Sequence, residues 1–149
     1  MTDSGPVVPA ELTDAVSVAD QEMRAHKPDR RSDRGLLFYL QKWRRLAEDA
    51  ADYRGFGDDY LHSLGSRIRL REWMQLCEGD LLWWLLNEVD EIDEIFRRNT
   101  HHTSSYNFLI QASNPDYWWF RRDPNDPELL QHLRIIRGEQ ADTRPRPQG

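Results

Sequence analysis

Cysteine and lysine are nearly absent from this sequence of 149 residues. Cys77 is the single cysteine, which excludes a disulfide within the chain and a cysteine-based metal site within one chain. Lys27 and Lys42 are the two lysines, so the other basic residues are all arginine. A high-GC genome and the pairing of guanidinium groups with phosphate or carboxylate would both produce this bias, and composition alone does not separate them.

Long apolar runs are missing as well. The longest, Leu81 to Leu86, is far too short to cross a bilayer. The first ten residues have neither the basic start nor the apolar stretch of a signal peptide. The formal net charge of −6 gives no overall attraction to nucleic acid or to an anionic membrane. We therefore expect a cytoplasmic protein with no membrane partner, for which nucleic acid is a possible but disfavoured ligand.

What the chain has instead is a high aromatic content, 11%, with six tryptophans. Its length suits one domain with a substantial core. Apolar residues recur at steps of three and four through most of the chain, which is typical of helices. We predict an all-α, single-domain bundle of five or six helices, with a helical domain over 10–137 and its core over 33–137. Residues 1–9 and the tail 138–149 are expected to be flexible or disordered.

The densest apolar and acidic clusters lie together between Asp80 and Asn99. With Asp80 as its N-cap, a helix here would bury one stripe of apolar residues. The expected stripe is Leu82, Leu85, Leu86, Val89, Ile92 and Phe96. Acidic residues fall on the opposite side, and we expect two surface ion pairs, Asp93 with Arg97 and Glu94 with Arg98.

Two aromatic groups are candidates for a binding interface. Trp83 and Trp84 point about 100° apart on a helix, so one can join the core while the other meets a second helix or a partner. The second group lies between prolines, which limit it to a loop, an edge strand or a single helical turn. It consists of Tyr117, Trp118, Trp119, Phe120, Arg121 and Arg122. Tryptophan, tyrosine and arginine dominate interface hot spots, although the same segment could equally close one end of the bundle.

Paired carboxylates suggest an alternative. Glu88 and Glu91 share one helix face, and Asp49 and Asp52 share another, so together they could cradle Mg²⁺. Glu88-Val89-Asp90-Glu91 resembles the ExxE motif of the MazG-type all-α nucleoside triphosphate pyrophosphatases. The second motif departs from that pattern, because Asp49-Ala50-Ala51-Asp52 carries two aspartates and precedes the first. The resemblance implies a Mg²⁺-dependent nucleotide phosphohydrolase.

A recurring aromatic-Arg-Arg pattern suggests a third possibility. It occurs at Trp43-Arg44-Arg45, Phe96-Arg97-Arg98 and Phe120-Arg121-Arg122. An aromatic ring can stack on a base while adjacent guanidinium groups pair with phosphate. Three such clusters on one face would form an RNA-binding groove, whereas buried rings beside ordinary surface arginines would not.

The hypothesis that we favour is a small helical binding protein. It would act as an adaptor or assembly subunit, or as a homodimer, through an aromatic- and arginine-rich interface. No catalytic constellation is assembled in the sequence, and this hypothesis requires no cofactor.

Overall fold

The computed structural model describes residues 7–26, 34–51, 57–103 and 116–136, without the side chains of 57–59, 61, 62, 129, 132 and 136. Within these ranges the chain forms five α-helices and one two-stranded sheet, which confirms the prediction of a small all-α domain. The helices are α1 (Thr13–His26), α2 (Leu36–Asp49), α3 (Gly57–Leu76), α4 (Gly79–Arg98) and α5 (Pro127–Ile136). The strands are β1 (Thr100–His102) and β2 (Arg122–Pro124), and two 3₁₀ turns span Ala10–Leu12 and Trp118–Arg121.

Helix α2 lies at the centre, packed against both α3 and α4, while α1 and α5 pack against α3. The core is formed by the apolar stripes of these helices. Its largest fully buried side chains include Trp43, Trp73, Trp119, Tyr60 and Phe96. Met23 of α1 is also fully buried, so the core includes α1 as well as the residues after 33.

The start of α2 is fixed by a side chain of α1. Asp20 accepts a hydrogen bond of 2.9 Å from the backbone N–H of Leu36, one of the donors that a helix start leaves without a partner. The preceding residue, Gly35, has a φ of 104°, and a Cβ there would lie 2.9 Å from Asp20 Oδ2. Glycine is therefore required at this junction by both backbone conformation and space.

Helix α4 covers the predicted central segment, with one difference at its start. The N-cap is Glu78 rather than Asp80, because Gly79, with a φ of 65°, turns the chain directly from α3 into α4. Leu85, Val89 and Ile92 are buried as predicted. At the other end, Asn99 Nδ2 donates a 2.8 Å hydrogen bond to the backbone oxygen of Ala47, which docks the end of α4 onto α2.

The two-stranded sheet holds the segment after α4 against the bundle. Strand β1 pairs antiparallel with β2, with Thr100 opposite Pro124 and His102 opposite Arg122. The proline-bounded segment thus forms a single helical turn followed by a short strand, two of the three conformations that we allowed for it. The sequence also predicts a short helix over Ser105 to Ala112, with a strand as the lesser alternative, and this segment lies outside the described residues.

Three expectations for the side chains of α4 are wrong. Glu94 forms its ion pair with Arg97 rather than with Arg98. Leu86 was placed in the buried stripe but is 41% exposed. Asp93 was expected to pair with Arg97 at the surface, but it is buried and pairs with Arg67 of α3 instead. Leu86 and Asp93 are seven residues apart and therefore lie on nearly the same side of α4. Trp43 of α2 and Arg67 of α3 cover that side at Asp93, whereas two turns earlier it is left open at Leu86.

Candidate binding surface

Trp83 differs from the other tryptophans because most of its side chain faces solvent. Its exposed fraction is 69%. The other five are buried or packed against the core: Trp43, Trp73, Trp84, Trp118 and Trp119. The structure thus confirms that Trp83 and Trp84 point to different environments, Trp84 toward the core and Trp83 toward water. Whether a partner covers Trp83 stays a prediction.

Trp83 is part of a small apolar patch. Leu86, three residues later, is 41% exposed, and Leu82 is half-buried beside them. Residues three and four apart are neighbours on a helix surface, so the three side chains are contiguous. We call Leu82, Trp83 and Leu86 the Trp83 patch. An isolated surface leucine needs no explanation, but an exposed tryptophan that adjoins two leucines is typical of a contact site.

Two exposed carboxylates adjoin this patch, Asp80 three residues before Trp83 and Asp90 four residues after Leu86. The exposed acidic residues of α4 are Asp80, Asp90, Glu91 and Glu94, which we call the acidic rim. Glu94 is paired with Arg97 at 2.7 Å, and Glu91 lies 3.9 Å from Arg44. No ion pair in the described part of the chain involves Asp80 or Asp90. The patch therefore has an apolar centre flanked by two carboxylates that no described residue pairs.

The second predicted group, Tyr117 to Arg122, is mostly an internal element, which we call the aromatic segment. Trp119 and Phe120 are 1% and 5% exposed, so a partner cannot reach them in the folded chain. Tyr117 stacks on Trp119 at 5.4 Å between ring centroids. Tyr117 and Trp118 are half-buried, and they are the aromatic rings of the segment that a partner could touch.

Each of three successive rings of the aromatic segment is covered by an arginine from another part of the fold. The Arg97 guanidinium lies 4.2 Å from the ring centroid of Trp118. Arg67 lies 4.7 Å from the ring of Trp119. Arg71 lies 5.4 Å from the ring of Tyr117 and also pairs with Asp116 at 3.1 Å. Cation–π contacts at these distances help to hold the aromatic segment against α3 and α4.

Arg122 is part of the scaffold rather than a free binding group. Its Nε donates a 2.8 Å hydrogen bond to Thr100 Oγ1, and its Nη2 donates to the backbone oxygens of Thr100 and Arg97 at 3.1 and 3.2 Å. These bonds satisfy carbonyl groups at the end of α4. Burial lowers the pKa of the Arg122 guanidinium, and the nearby charge of Arg97 lowers it further.

The polar centre of the fold is Asp93, which the sequence analysis expects at the surface. Its carboxylate accepts hydrogen bonds from Trp43 Nε1 at 3.0 Å and from Arg67 Nε and Nη2 at 2.9 and 2.8 Å. The ion pair between Arg67 and Asp93 is bidentate and nearly solvent-free. The Arg67 guanidinium also lies over the ring of Trp119. This cluster links α2, α3 and α4 to the aromatic segment. Its position in the helical pattern, next to the apolar stripe, was the available signal.

The carboxylates of the Mg²⁺ hypothesis face an arginine. Arg44 lies 3.7 Å from Glu88 and 3.9 Å from Glu91. Burial raises the pKa of the Glu88 carboxyl group, against the opposing effect of Arg44. Asp49 is exposed and Asp52 lies outside the described residues. Within the described ranges no group of three or more His, Cys, Asp or Glu is placed to hold a metal ion. The four-carboxylate site stays a prediction without support from this geometry.

The aromatic rings of the three aromatic-Arg-Arg clusters are all buried. Trp43 and Phe96 are 0% exposed and Phe120 is 5% exposed. None of them can stack on a base without unfolding the core, so the geometry does not favour the RNA-binding alternative.

The single cysteine offers no reactive group. Burial raises the pKa of the Cys77 thiol to about 11, and the nearby charges of Asp20 and Glu22 act in the same direction. A thiol with this pKa is protonated at neutral pH and is therefore a poor nucleophile.

No helix in the described ranges combines the length and the apolar character needed to cross a membrane. Comparison of the chain with known protein families, with curated proteins and with solved structures finds no match.

Proposed function

We propose that this protein acts by binding another protein chain through the Trp83 patch of α4, as an adaptor or as a subunit of an assembly. The observation that carries the proposal is the 69% exposure of Trp83 in a chain whose other tryptophans all contact the core. Full burial of a large apolar side chain stabilises a complex by about 1.5–3 kcal/mol. Trp83 and Leu86 provide this free energy only if a partner covers them.

The patch has the anatomy of a small interface. Interface hot spots are enriched in tryptophan and lie at the centre of a contact, surrounded by polar residues that exclude water. Trp83 occupies such a position between Asp80 and Asp90. Because the patch covers little more than one turn of one helix, from Leu82 to Leu86, it suits a short segment of a partner, such as a helix docked along α4.

The test is quantitative affinity purification from the protein's own host, with the full-length chain as bait. Trp83→Ala should lower recovery of a specific partner by about tenfold or more, since loss of a hot-spot residue costs at least about 2 kcal/mol. The matched control is Val18→Ser on α1, which changes a residue that is 52% exposed and lies on a different helix.

The control should retain the partner, and urea denaturation should show both variants to be folded. If Trp83→Ala recovers the same proteins in the same amounts as the unchanged chain, the proposal fails.

A further inference from the structure

We infer that the occupant of the Trp83 patch is a basic, amphipathic segment of a different protein, with arginine or lysine on both sides of an apolar anchor. This inference rests on the proposed function, and it adds the chemistry of the partner. It is based on the charges that flank the patch.

The exposed charges beside the Trp83 patch are negative. Asp80 lies three residues before Trp83 and Asp90 lies seven residues after it, all exposed along α4. The described part of the chain pairs neither aspartate with a cation. Arg44 of α2, which reaches α4, is already shared among Glu48, Glu88 and Glu91. A partner with cations at both ends of its contact would complement these two charges.

A second copy of this chain would bring like charges together at the patch. A symmetric dimer uses the same patch on both subunits. If two α4 helices crossed antiparallel with Trp83 against Leu86, Asp90 of one copy would lie beside Asp80 of the other, twice per dimer. If they ran parallel, each aspartate would face its own equivalent. Both arrangements bring like charges together, which opposes binding.

The separation of the two aspartates predicts the separation of the partner's cations. Asp80 and Asp90 are ten residues apart, which corresponds to roughly 15 Å along the helix axis. A partner helix aligned with α4 would therefore carry its cations about ten residues apart, with apolar residues between them to meet Trp83 and Leu86. Arginine suits these positions best, because its planar guanidinium binds a carboxylate through two hydrogen bonds.

The test is selection of a displayed library of helical peptides on the immobilised full-length chain, with counter-selection on Trp83→Ala. The peptides that require Trp83 should carry net positive charge, with arginine or lysine on both sides of an apolar stripe. The variant Asp80→Asn/Asp90→Asn should weaken binding of the best peptide by roughly three- to tenfold. Val18→Ser should leave its affinity unchanged. Higher salt should weaken binding to the unchanged chain more than to the double variant.

Selected peptides that require Trp83 but are neutral or acidic would overturn this inference and leave the proposed function standing. Sedimentation that shows a dimer of the unchanged chain, and a monomer of Trp83→Ala, would replace the basic partner by a second copy. A failure to select any Trp83-dependent peptide, together with an unchanged host purification, would overturn the inference and the proposed function together.

Discussion

Two Trp-Trp pairs occur in this chain, and the fold treats them differently. In the pair Trp118-Trp119 one ring is buried and the other is half-buried. In the pair Trp83-Trp84 one ring packs against the core and the other is 69% exposed. The two pairs also differ in the charged groups that lie near them. Arg97 and Arg67 cover the rings of Trp118 and Trp119, whereas the exposed neighbours of Trp83 include the carboxylates of Asp80 and Asp90.

Arginine side chains lie against both rings of the pair Trp118-Trp119. A guanidinium group can lie flat on a ring and still form ion pairs at its edges, as Arg67 does with Asp93. The aromatic segment is thus held by cations from α3 and α4. Within the described ranges no cation lies over the ring of Trp83, and we propose that a partner covers this patch. The arginine-rich composition is explained in part by this structural role.

The largest expected loss of stability comes from the polar centre beneath the aromatic segment. Asp93→Ala leaves the guanidinium of Arg67 buried without its partner, which should lower the free energy of unfolding by about 3–5 kcal/mol. Asp90→Ala, an exposed position on the same helix, should change it by less than about 0.5 kcal/mol. Urea denaturation of both variants measures the difference. Equal stabilities would show that Asp93 does not hold the helices together.

The two Trp-Trp pairs should differ by a similar amount in what one ring contributes to the free energy of unfolding. Trp119→Ala removes a buried ring and should cost about 3–5 kcal/mol, whereas Trp83→Ala should cost less than about 0.5 kcal/mol. Trp119→Phe should cost less than Trp119→Ala, because it keeps a ring beneath Arg67 and the Trp119 indole N–H has no hydrogen-bond partner to lose. Denaturation midpoints and slopes give these values. A large loss for Trp83→Ala would mean that Trp83 is part of the core.

Arg122 should contribute an intermediate amount to stability. Arg122→Ala removes three hydrogen bonds to Thr100 and Arg97, and we expect a loss of about 1–2 kcal/mol, since two of the acceptors are backbone oxygens at a helix end. Hydrogen exchange should accelerate in the last turn of α4 and in β1, and less in α1. Arg122→Lys keeps the charge but not the fork of donors, so it should restore only part of the loss. Full recovery with lysine would show that charge alone matters.

The smallest expected effect is that of the arginine over Trp118. Arg97→Ala removes a cation–π contact of 4.2 Å and the ion pair with Glu94, and it should cost about 0.5–1 kcal/mol. Arg98→Ala, the exposed neighbour in the same turn, is the matched control and should cost less. Thermal unfolding of the two variants at equal salt compares them. If they are equally stable, the guanidinium does not help to close the aromatic segment.

The positions of the helices could be predicted from the sequence because their signals are local. Leu85, Val89 and Ile92 recur at helical spacing, and the Asp126-Pro127 start of α5 is a strong boundary signal. The role of Asp93 could not be predicted in this way. Its partners are 26 and 50 residues away in the chain, so the packing of helices that brings them together must be known first.

The candidate site was predictable only as a list of residues. Both Trp-Trp pairs have the composition of an interface, and local sequence gives no reason to rank one above the other. The cations that cover Tyr117 and Trp119 come from Arg71 and Arg67, far away in sequence, and only the folded chain places them there. The acidic rim around Trp83, by contrast, is local and follows from the helical spacing of Asp80 and Asp90.

The most direct test of the central claim is fluorine NMR of the full chain with 5-fluorotryptophan, with the signals assigned by single Trp→Phe variants. A soluble paramagnetic reagent should broaden the Trp83 signal most and the signals of the buried Trp43, Trp73 and Trp119 least. Addition of a peptide or protein that requires Trp83 should then shift the Trp83 signal and protect it, with little change at Trp119. A Trp83 signal as protected as that of Trp119 in the free protein would contradict the account.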